Sequence, residues 1–159
     1  MTPESDGPRG IGGWLILVIL GLIVSPLRIT YLLLTIHWPI FRDGTWHTLT
    51  TPGSPAYHHL WAPLLAYEII GNLIAIVLAL VTLVMLLRKS KRTPAFAIGW
   101  FAYGAAFVAI DFFVADLIPF VAQHPDPDDI KELARGVVAA AIWIPYFLVS
   151  KRVKATFVE

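Results

Sequence analysis

The sequence predicts an all-α, polytopic membrane protein with four transmembrane helices. Of its 159 residues, 57% are hydrophobic and only 14% are charged, whereas about a quarter of the residues in a typical soluble domain are charged. The excess apolar residues fall into four blocks, each long enough to cross a bilayer as a helix of about 20 residues. Most basic residues lie at the ends of these blocks. These observations together predict a helical bundle embedded in a membrane.

The blocks divide the chain into a single membrane domain with two tails. Residues 1–9 are expected to form a flexible cytoplasmic tail, residues 10–150 a four-helix membrane domain, and residues 151–159 a basic cytoplasmic tail. No small-residue cleavage site follows the first apolar run, so that run is expected to remain as an uncleaved span. Asp126 followed by Pro127 suits the N-cap and first position of a helix. The predicted spans cover about residues 10–35, 61–87, 95–119 and 130–149.

The basic residues also predict the orientation of the spans. Short cytoplasmic loops carry an excess of Lys and Arg. Eight of the twelve basic residues lie in the N-terminal tail, the second connection and the C-terminal tail (Arg9, Arg88, Lys89, Lys91, Arg92, Lys151, Arg152 and Lys154). Both termini are therefore predicted to be cytoplasmic. The first connection and the acidic turn at residues 124–129 would then face outside.

The first connection, residues 36–60, is long and rich in Trp, His, Pro and Gly. Its aromatic content predicts an ordered outer loop, with a short hairpin near residues 46–51. A zinc or copper site is one hypothesis for its histidines. No HxxxH or HExxH spacing is present, so surface or interfacial histidines are favoured and no metal site is predicted. The outer-loop candidates are His37, His47, His58, His59, Trp46 and Trp61.

Ionisable side chains within the spans are the other candidates for a site. A charged group at mid-bilayer costs about 2.5–3.5 kcal/mol on insertion scales, so the fold must supply partners. Arg28 is predicted to pair with Glu68 or Asp111. Arg135 is predicted to pair with Asp116 or Asp111, and Asn72, one turn from Glu68, to donate to the group.

This predicted cluster would be buried in the outer leaflet, and it has two interpretations. One is a structural clasp that holds the four helices in register. The other is a ligand or ion site that opens to the outside, because ionisable groups inside membranes are commonly functional. With three acids against two bases, one carboxylate would be protonated or would bind a cation.

Small residues on the third and fourth spans predict close helix packing. Residues three or four positions apart lie on one helix face, and small side chains let two backbones approach. Packing of these spans within one chain is favoured, and a dimer face is the alternative. The small-residue pairs are Ala102 with Ala106, Ala105 with Ala109, and Gly136 with Ala140.

Several function classes are excluded or disfavoured by composition. The chain has no cysteine and a net charge of +1. These values exclude thiol chemistry and disfavour nucleic acid as a partner. No serine has the flanking glycines of a nucleophile elbow, so no catalytic residue and no cofactor are predicted, although enzymatic activity stays open.

Three functional hypotheses follow. The first is a non-enzymatic binding or accessory protein that contacts the lipid bilayer and a larger membrane complex or a second copy of itself. The alternative is a small transporter or channel component that handles a proton, a cation or a small polar solute. The second alternative is a metal-binding protein or membrane-embedded enzyme that uses the outer-loop histidines.

Four stretches carry a resemblance to a known family. They are GIGGWLIL (residues 10–17), SPLR (residues 25–28), TTPGS…YHHLWAPL (residues 50–64) and IWIPYFLVSKRVKATF (residues 142–157). The chain resembles the bacterial family catalogued as domain of unknown function 2569 over nearly its whole length. The resemblance implies a multi-pass protein of the bacterial inner (cytoplasmic) membrane with four helices. It implies no activity, so no functional residue is carried over from it.

Overall fold

The structure is a computed structural model that describes residues 10–158, and every regular element in that range is helical. Four helical stretches are long and apolar enough to cross a membrane. They confirm the predicted all-α fold with four candidate spans and indicate a multi-pass membrane protein. The predicted flexible tail of residues 1–9 lies outside the described residues. The four stretches are Trp14–Arg42, Trp61–Leu87, Thr93–Ala115 and Pro127–Val149.

The first stretch consists of three consecutive segments: α1 (Trp14–Leu32), a π-helical turn (Leu33–His37) and α2 (Trp38–Arg42). At the end of the π-helical turn, the Trp38 N–H donates to the carbonyl of Leu33, five residues earlier. Pro39 follows directly, and a proline ring crowds the preceding turn of a regular α-helix. The wider turn gives that ring room. The helix therefore continues past the predicted end near residue 35 and carries His37 out of the predicted loop.

The connection to the next long helix contains a short helix, α3 (Thr45–Thr50). It begins after Gly44, whose φ of 86° is in the left-handed region that favours glycine. The Asp43 carboxylate accepts a hydrogen bond from the Thr45 N–H at 2.9 Å. The hairpin expected near residues 46–51 is wrong, because this turn starts a helix there instead.

The remaining helices are α4 (Trp61–Leu87), α5 (Thr93–Ala115), α6 (Pro119–Gln123), α7 (Pro127–Val149) and α8 (Lys151–Thr156). As predicted, the Asp126 side chain caps α7 by accepting from the Asp128 N–H at 2.8 Å. The stretch predicted as a basic tail forms α8, and Val153 and Phe157 there are buried.

Each long helix packs against the next one along the chain, and the contact between α5 and α7 is the most extensive. A Cβ added at Gly136 of α7 would lie 3.6 Å from the Cα of Ala105 in α5. The predicted close packing of these two spans through small residues within one chain is therefore confirmed.

Buried apolar side chains fill one half of the bundle. They come from the beginning of α1 and α5 and from the end of α4 and α7, and one residue of α8 and the residue that follows it add two more. We call this region the core half, and the opposite region, where α1 ends and α4 begins, the polar half. The buried residues of the core half are Leu15, Val18, Leu22, Ala79, Leu86, Ala97, Phe101, Phe147, Val153 and Phe157.

Candidate ligand cavity

The polar half contains a cavity of about 400 Å³ that is lined by all four long helices. Its volume is in the range of pockets that hold small molecules, about 300–1,000 Å³. Most of its polar lining is ionisable. We call it the polar cavity, and its ionisable lining residues are Arg28, His37, Glu68, Asp111, Asp116, Asp126, Asp129 and Glu132.

His37 and Glu68 form the shortest polar contact of the cavity. Nε2 of His37 lies 2.7 Å from Oε2 of Glu68, and the two side chains are 13% and 22% exposed. The π-helical turn makes this contact possible, because it continues the first span as a helix to the level of Glu68. His37 was predicted to lie in the outer loop, and Glu68 was predicted as a partner of Arg28. The contact between His37 and Glu68 corrects both predictions.

Arg28 pairs with Glu132 of α7 instead, and Nη1 lies 3.0 Å from Oε1. The predicted pairing of Arg28 with Glu68 or Asp111 is therefore wrong. Glu132 was not predicted as a site residue, because among the acids at the start of α7 only Asp126 was assigned a role, that of the N-cap. The available signal was the spacing of Asp129 and Glu132, which are three residues apart and so lie on the same helix face.

The predicted pairing of Arg135 with Asp116 or Asp111 is also wrong. Arg135 is exposed and does not line the polar cavity, and it forms no ion pair with residues 10–158. Asp116 does line the cavity, as do Asp111 and Asn72. Oδ1 of Asp111 is buried, yet it has no hydrogen-bond partner within the described residues. The cavity thus contains a carboxylate oxygen shielded from solvent and left without a donor.

No charged side chain in residues 10–158 is buried, and the buried polar side chains are Thr82, Thr93 and Thr156. The Arg28 and Glu132 side chains are 49% and 42% exposed. The predicted buried charged cluster and buried salt bridge are therefore wrong for the described part of the chain. The physical reason is that these groups border an open cavity, whereas the closed core of the bundle lies in the other half.

The polar cavity has an excess of negative charge. Glu68 and Glu132 each contact a basic side chain, and Asp126 is occupied as the cap of α7. The carboxylates of Asp111, Asp116 and Asp129 have no ion-pair partner in residues 10–158. A cavity lined by one sign of charge between apolar walls raises the local concentration of the opposite charge.

Aromatic residues join α4 to α5 beside the cavity. The Tyr67 ring stacks on Phe107 with centroids 4.8 Å apart, and its hydroxyl donates to the Phe107 carbonyl at 3.0 Å. The Tyr103 hydroxyl donates to the Gly71 carbonyl at 2.8 Å. A Cβ at Gly71 would overlap the Phe107 ring, so glycine is required for this approach. Phe107 lines the cavity, so these contacts hold that wall in place.

The other loop histidines do not converge on the cavity. His47 lies in α3, and the rings of His58 and His59 pack on each other with centroids 4.4 Å apart. Within residues 10–158, no three or more His, Asp or Glu side chains are grouped so that they could hold a metal ion.

The two candidate tryptophans have different positions. Trp46 packs on Phe41 with ring centroids 5.1 Å apart and does not line the cavity. Trp61 begins α4 and lines the cavity. Its buried indole N–H finds no acceptor within the described residues. With Oδ1 of Asp111 and Nδ1 of His37, the Trp61 indole is one of three buried polar groups of the lining that have no hydrogen-bond partner in residues 10–158.

The family described as "Protein of unknown function (DUF2569)" matches residues 8–158, essentially the whole chain. The expected family resemblance is thereby confirmed. Comparison with curated proteins and comparison with solved structures each give no match.

Proposed function

We propose that this chain, which belongs to the DUF2569 family, is a non-enzymatic membrane protein that binds a small, positively charged organic solute in its polar cavity. The observation that carries the proposal is a cavity of about 400 Å³ whose lining has more carboxylates than basic groups. Among those carboxylates, Asp111 has a buried oxygen that receives no hydrogen bond from residues 10–158.

Electrostatics favours a cation as the ligand. Two opposite charges 4 Å apart attract by about 4 kcal/mol at an effective dielectric constant of about 20. An ammonium group beside Asp111 would donate to this oxygen and offset the repulsion among the carboxylates of the lining. Arg28 and His37 contact Glu132 and Glu68, and neither forms an ion pair with Asp111.

The lining favours an organic cation over a metal ion. Calcium and magnesium need about six or more oxygen ligands at about 2.0–2.6 Å, and the described residues contain no such group. Leu64 and Phe107 line the same cavity and offer apolar surface to methylene groups. An alkyl amine or diamine combines the charge and the apolar segment that this lining would accept.

The proposed setting is the bacterial inner membrane, with both termini in the cytoplasm and the polar cavity open to the outside. The distribution of basic residues supports this orientation. The packed core half, which includes Leu22, Ala79 and Phe101, would close the cytoplasmic side. A closed half favours binding from one side over a continuous channel.

A second candidate is a small transporter component for the same class of solute, acting alone, as a homo-oligomer or within a larger membrane complex. The observation that favours it is the ion pair between Arg28 and Glu132, which within residues 10–158 is the one ion pair that joins α1 to α7. An exposed pair of this kind contributes little, about 0–1 kcal/mol. The parts of the two helices beside the cavity could then separate at low energetic cost, while the core half stays packed.

Binding of putrescine to the purified protein, measured by isothermal titration calorimetry, tests the proposal. Putrescine is expected to bind, whereas butanediol of the same length and the dianion succinate are not. Asp111→Asn is expected to weaken binding about tenfold, equivalent to about 1.4 kcal/mol. Asp128→Asn is the matched control, because Asp128 does not line the cavity and pairs with Lys131.

Equal affinity for putrescine and butanediol, or equal effects of the two substitutions, would contradict the proposal. Uptake of radiolabelled putrescine by vesicles containing the protein separates the two candidates. Accumulation inside the vesicles supports the transporter, and saturable binding without uptake supports the binding protein.

A further inference from the structure

A groove of about 430 Å³ lies on the exposed face of α4 in the core half. Its lining residues are at the end of α4, whereas the polar cavity is at the beginning of that helix. We propose that the groove is a binding site for an anionic phospholipid, with one acyl chain in the groove and the phosphate at its basic end. The groove is lined by Leu80, Val81, Val84, Met85, Arg88 and Ser90.

From its apolar end at Leu80 to its basic end at Arg88, the groove extends along most of one leaflet. Residues four apart lie on the same face of a helix, so Leu80, Val84 and Arg88 form one row. The eight-residue separation of its ends corresponds to about 12 Å at a rise of about 1.5 Å per residue. Half of a hydrocarbon core about 30 Å thick is about 15 Å. An acyl chain lying along this row would therefore span most of one leaflet.

The described part of the chain leaves this face uncovered. Leu80 and Val84 are 48% and 49% exposed. Met85, which follows Val84 and also lines the groove, is half-buried, so the row is partly recessed at that end. In such a recessed row, the apolar side chains can contact an acyl chain and Arg88 can contact the headgroup of the same lipid. A flat helix surface offers less contact to the chain.

The polar end of the groove can hold a phosphate. Arg88 follows the last residue of α4, and its guanidinium can donate two parallel hydrogen bonds to phosphate oxygens. The Ser90 hydroxyl oxygen accepts from the Arg92 N–H at 3.3 Å. A hydroxyl has one donor in addition to its acceptor sites, so its hydrogen stays available for a phosphate oxygen.

The turn after α4 has a lysine, Lys89, at a position where glycine is the usual residue. Lys89 has a φ of 53°, and the Ser90 N–H donates to the Met85 carbonyl at 3.0 Å. This is the geometry of a helix-ending turn in which a left-handed residue, usually glycine, follows the last turn. A lysine here retains a cation next to Arg88. Together with Lys91 and Arg92, it makes this end complementary to an anionic headgroup.

Topology alone explains the presence of these basic residues near the membrane. It does not explain a groove that places Arg88 and Ser90 at the end of an apolar row. The experiment must therefore compare the effect of Arg88, which lines the groove, with the effect of a basic residue of the same loop outside it.

The experiment uses native mass spectrometry of the purified full chain with an equimolar mixture of phosphatidylglycerol and phosphatidylethanolamine of identical acyl chains. The wild type is expected to retain phosphatidylglycerol preferentially. Arg88→Gln is expected to reduce that preference about fivefold, the effect of one basic contact worth about 1 kcal/mol. Arg92→Gln removes the same charge from the same loop outside the groove, and it is expected to change the preference less than Arg88→Gln.

A second pair of variants tests the groove with all charges intact. Val84→Phe is expected to reduce the number of retained lipids of both kinds, because the added ring fills the space for the chain. Val77→Phe is its control, since Val77 is 59% exposed on the same helix and does not line the groove. This comparison also decides the proposal if Arg88→Gln does not fold.

Three results would overturn the proposal. They are equal retention of the two lipids by the wild type, equal effects of Arg88→Gln and Arg92→Gln, and unchanged lipid retention in Val84→Phe. Thermal unfolding of each variant in detergent verifies that it is folded before the lipids are compared.

Discussion

The two halves of the bundle use the same four long helices in different ways. In the core half, Leu15, Leu22 and Leu86 have no exposed surface. In the polar half, α4, α5 and α7 carry carboxylates, the first long helix carries Arg28 and His37, and a cavity lies between them. Lipid tails are as apolar as leucine, so helices in a membrane associate through packing rather than through a hydrophobic force. The comparison indicates that packing in one half allows the other half to remain open.

The largest expected effect tests the core half. Phe147 is 3% exposed and packs on Phe101. We expect Phe147→Ala to lower the free energy of unfolding in detergent by about 3 kcal/mol, because it leaves a cavity among packed side chains. Phe113→Ala, at a position that is 64% exposed, is expected to change it by less than about 0.5 kcal/mol. Similar losses in both variants would contradict the division into a packed and an open half.

The boundary between the halves is tested at Gly71. We expect Gly71→Ala to destabilise the protein by about 2 kcal/mol, because the added methyl group overlaps the Phe107 ring. Displacement of that ring is also expected to weaken putrescine binding. Gly99→Ala is the control, because a Cβ at Gly99 meets no atom within 4 Å and is expected to stabilise the helix by up to about 1 kcal/mol. A stable Gly71→Ala variant with unchanged binding would show that this wall does not shape the cavity.

The openness of the polar half is tested by a double-mutant cycle on Arg28 and Glu132. We expect a coupling free energy of about 0.5 kcal/mol from Arg28→Gln, Glu132→Gln and the double variant, because both side chains are about half exposed. The coupling is expected to fall as salt is added, since salt screens exposed charges. A coupling of several kcal/mol that is insensitive to salt would mean that the pair is shielded and that this half is closed.

The smallest expected effect concerns the connection outside the spans. Hydrogen bonds from the hydroxyl and backbone N–H of Thr45 hold the pKa of Asp43 below its ordinary value of 3.8. A carboxylate whose pKa is lowered by folding stabilises the folded segment at pH values above its unfolded-state pKa. This stabilisation is lost as the pH falls through the folded-state pKa. We expect Asp43→Ala to increase hydrogen exchange in α3 at neutral pH. The difference from the wild type is expected to vanish below the lowered pKa.

Asp43→Asn is the control for this pH dependence, because an amide oxygen accepts the same hydrogen bonds and does not titrate near that pH. Its exchange in α3 is expected to resemble that of the wild type at neutral pH and to change little in acid. A wild type that keeps its protection after Asp43 is protonated would show that the carboxylate does not order α3.

Most of the fold could be predicted because its determinants are local. An apolar block about 20 residues long predicts a span without any knowledge of its neighbours. The Asp126 cap of α7 also depends only on adjacent residues. The first span was predicted less well, since the π-helical turn before Pro39 extends it and has no clear pattern in the sequence. The hairpin prediction near residues 46–51 failed because the turn at Asp43 and Gly44 starts a helix.

The site was predicted only in part. Arg28, Glu68 and Asp111 could be identified because a charge within an apolar block is conspicuous. Their partners could not be identified, because pairing depends on the rotation and axial offset of one helix relative to another. An extended first span brings His37 to Glu68, and the start of α7 brings Glu132 to Arg28.

The amino-acid sequence by itself determined that this chain forms four apolar helices with ionisable residues near one end, since helix formation and membrane insertion depend on short stretches. Only the tertiary structure decided that those residues border a cavity and which of them contact each other. Contacts between helices arise from side-chain packing along their whole length, and a difference of one helical turn is enough to exchange one partner for another.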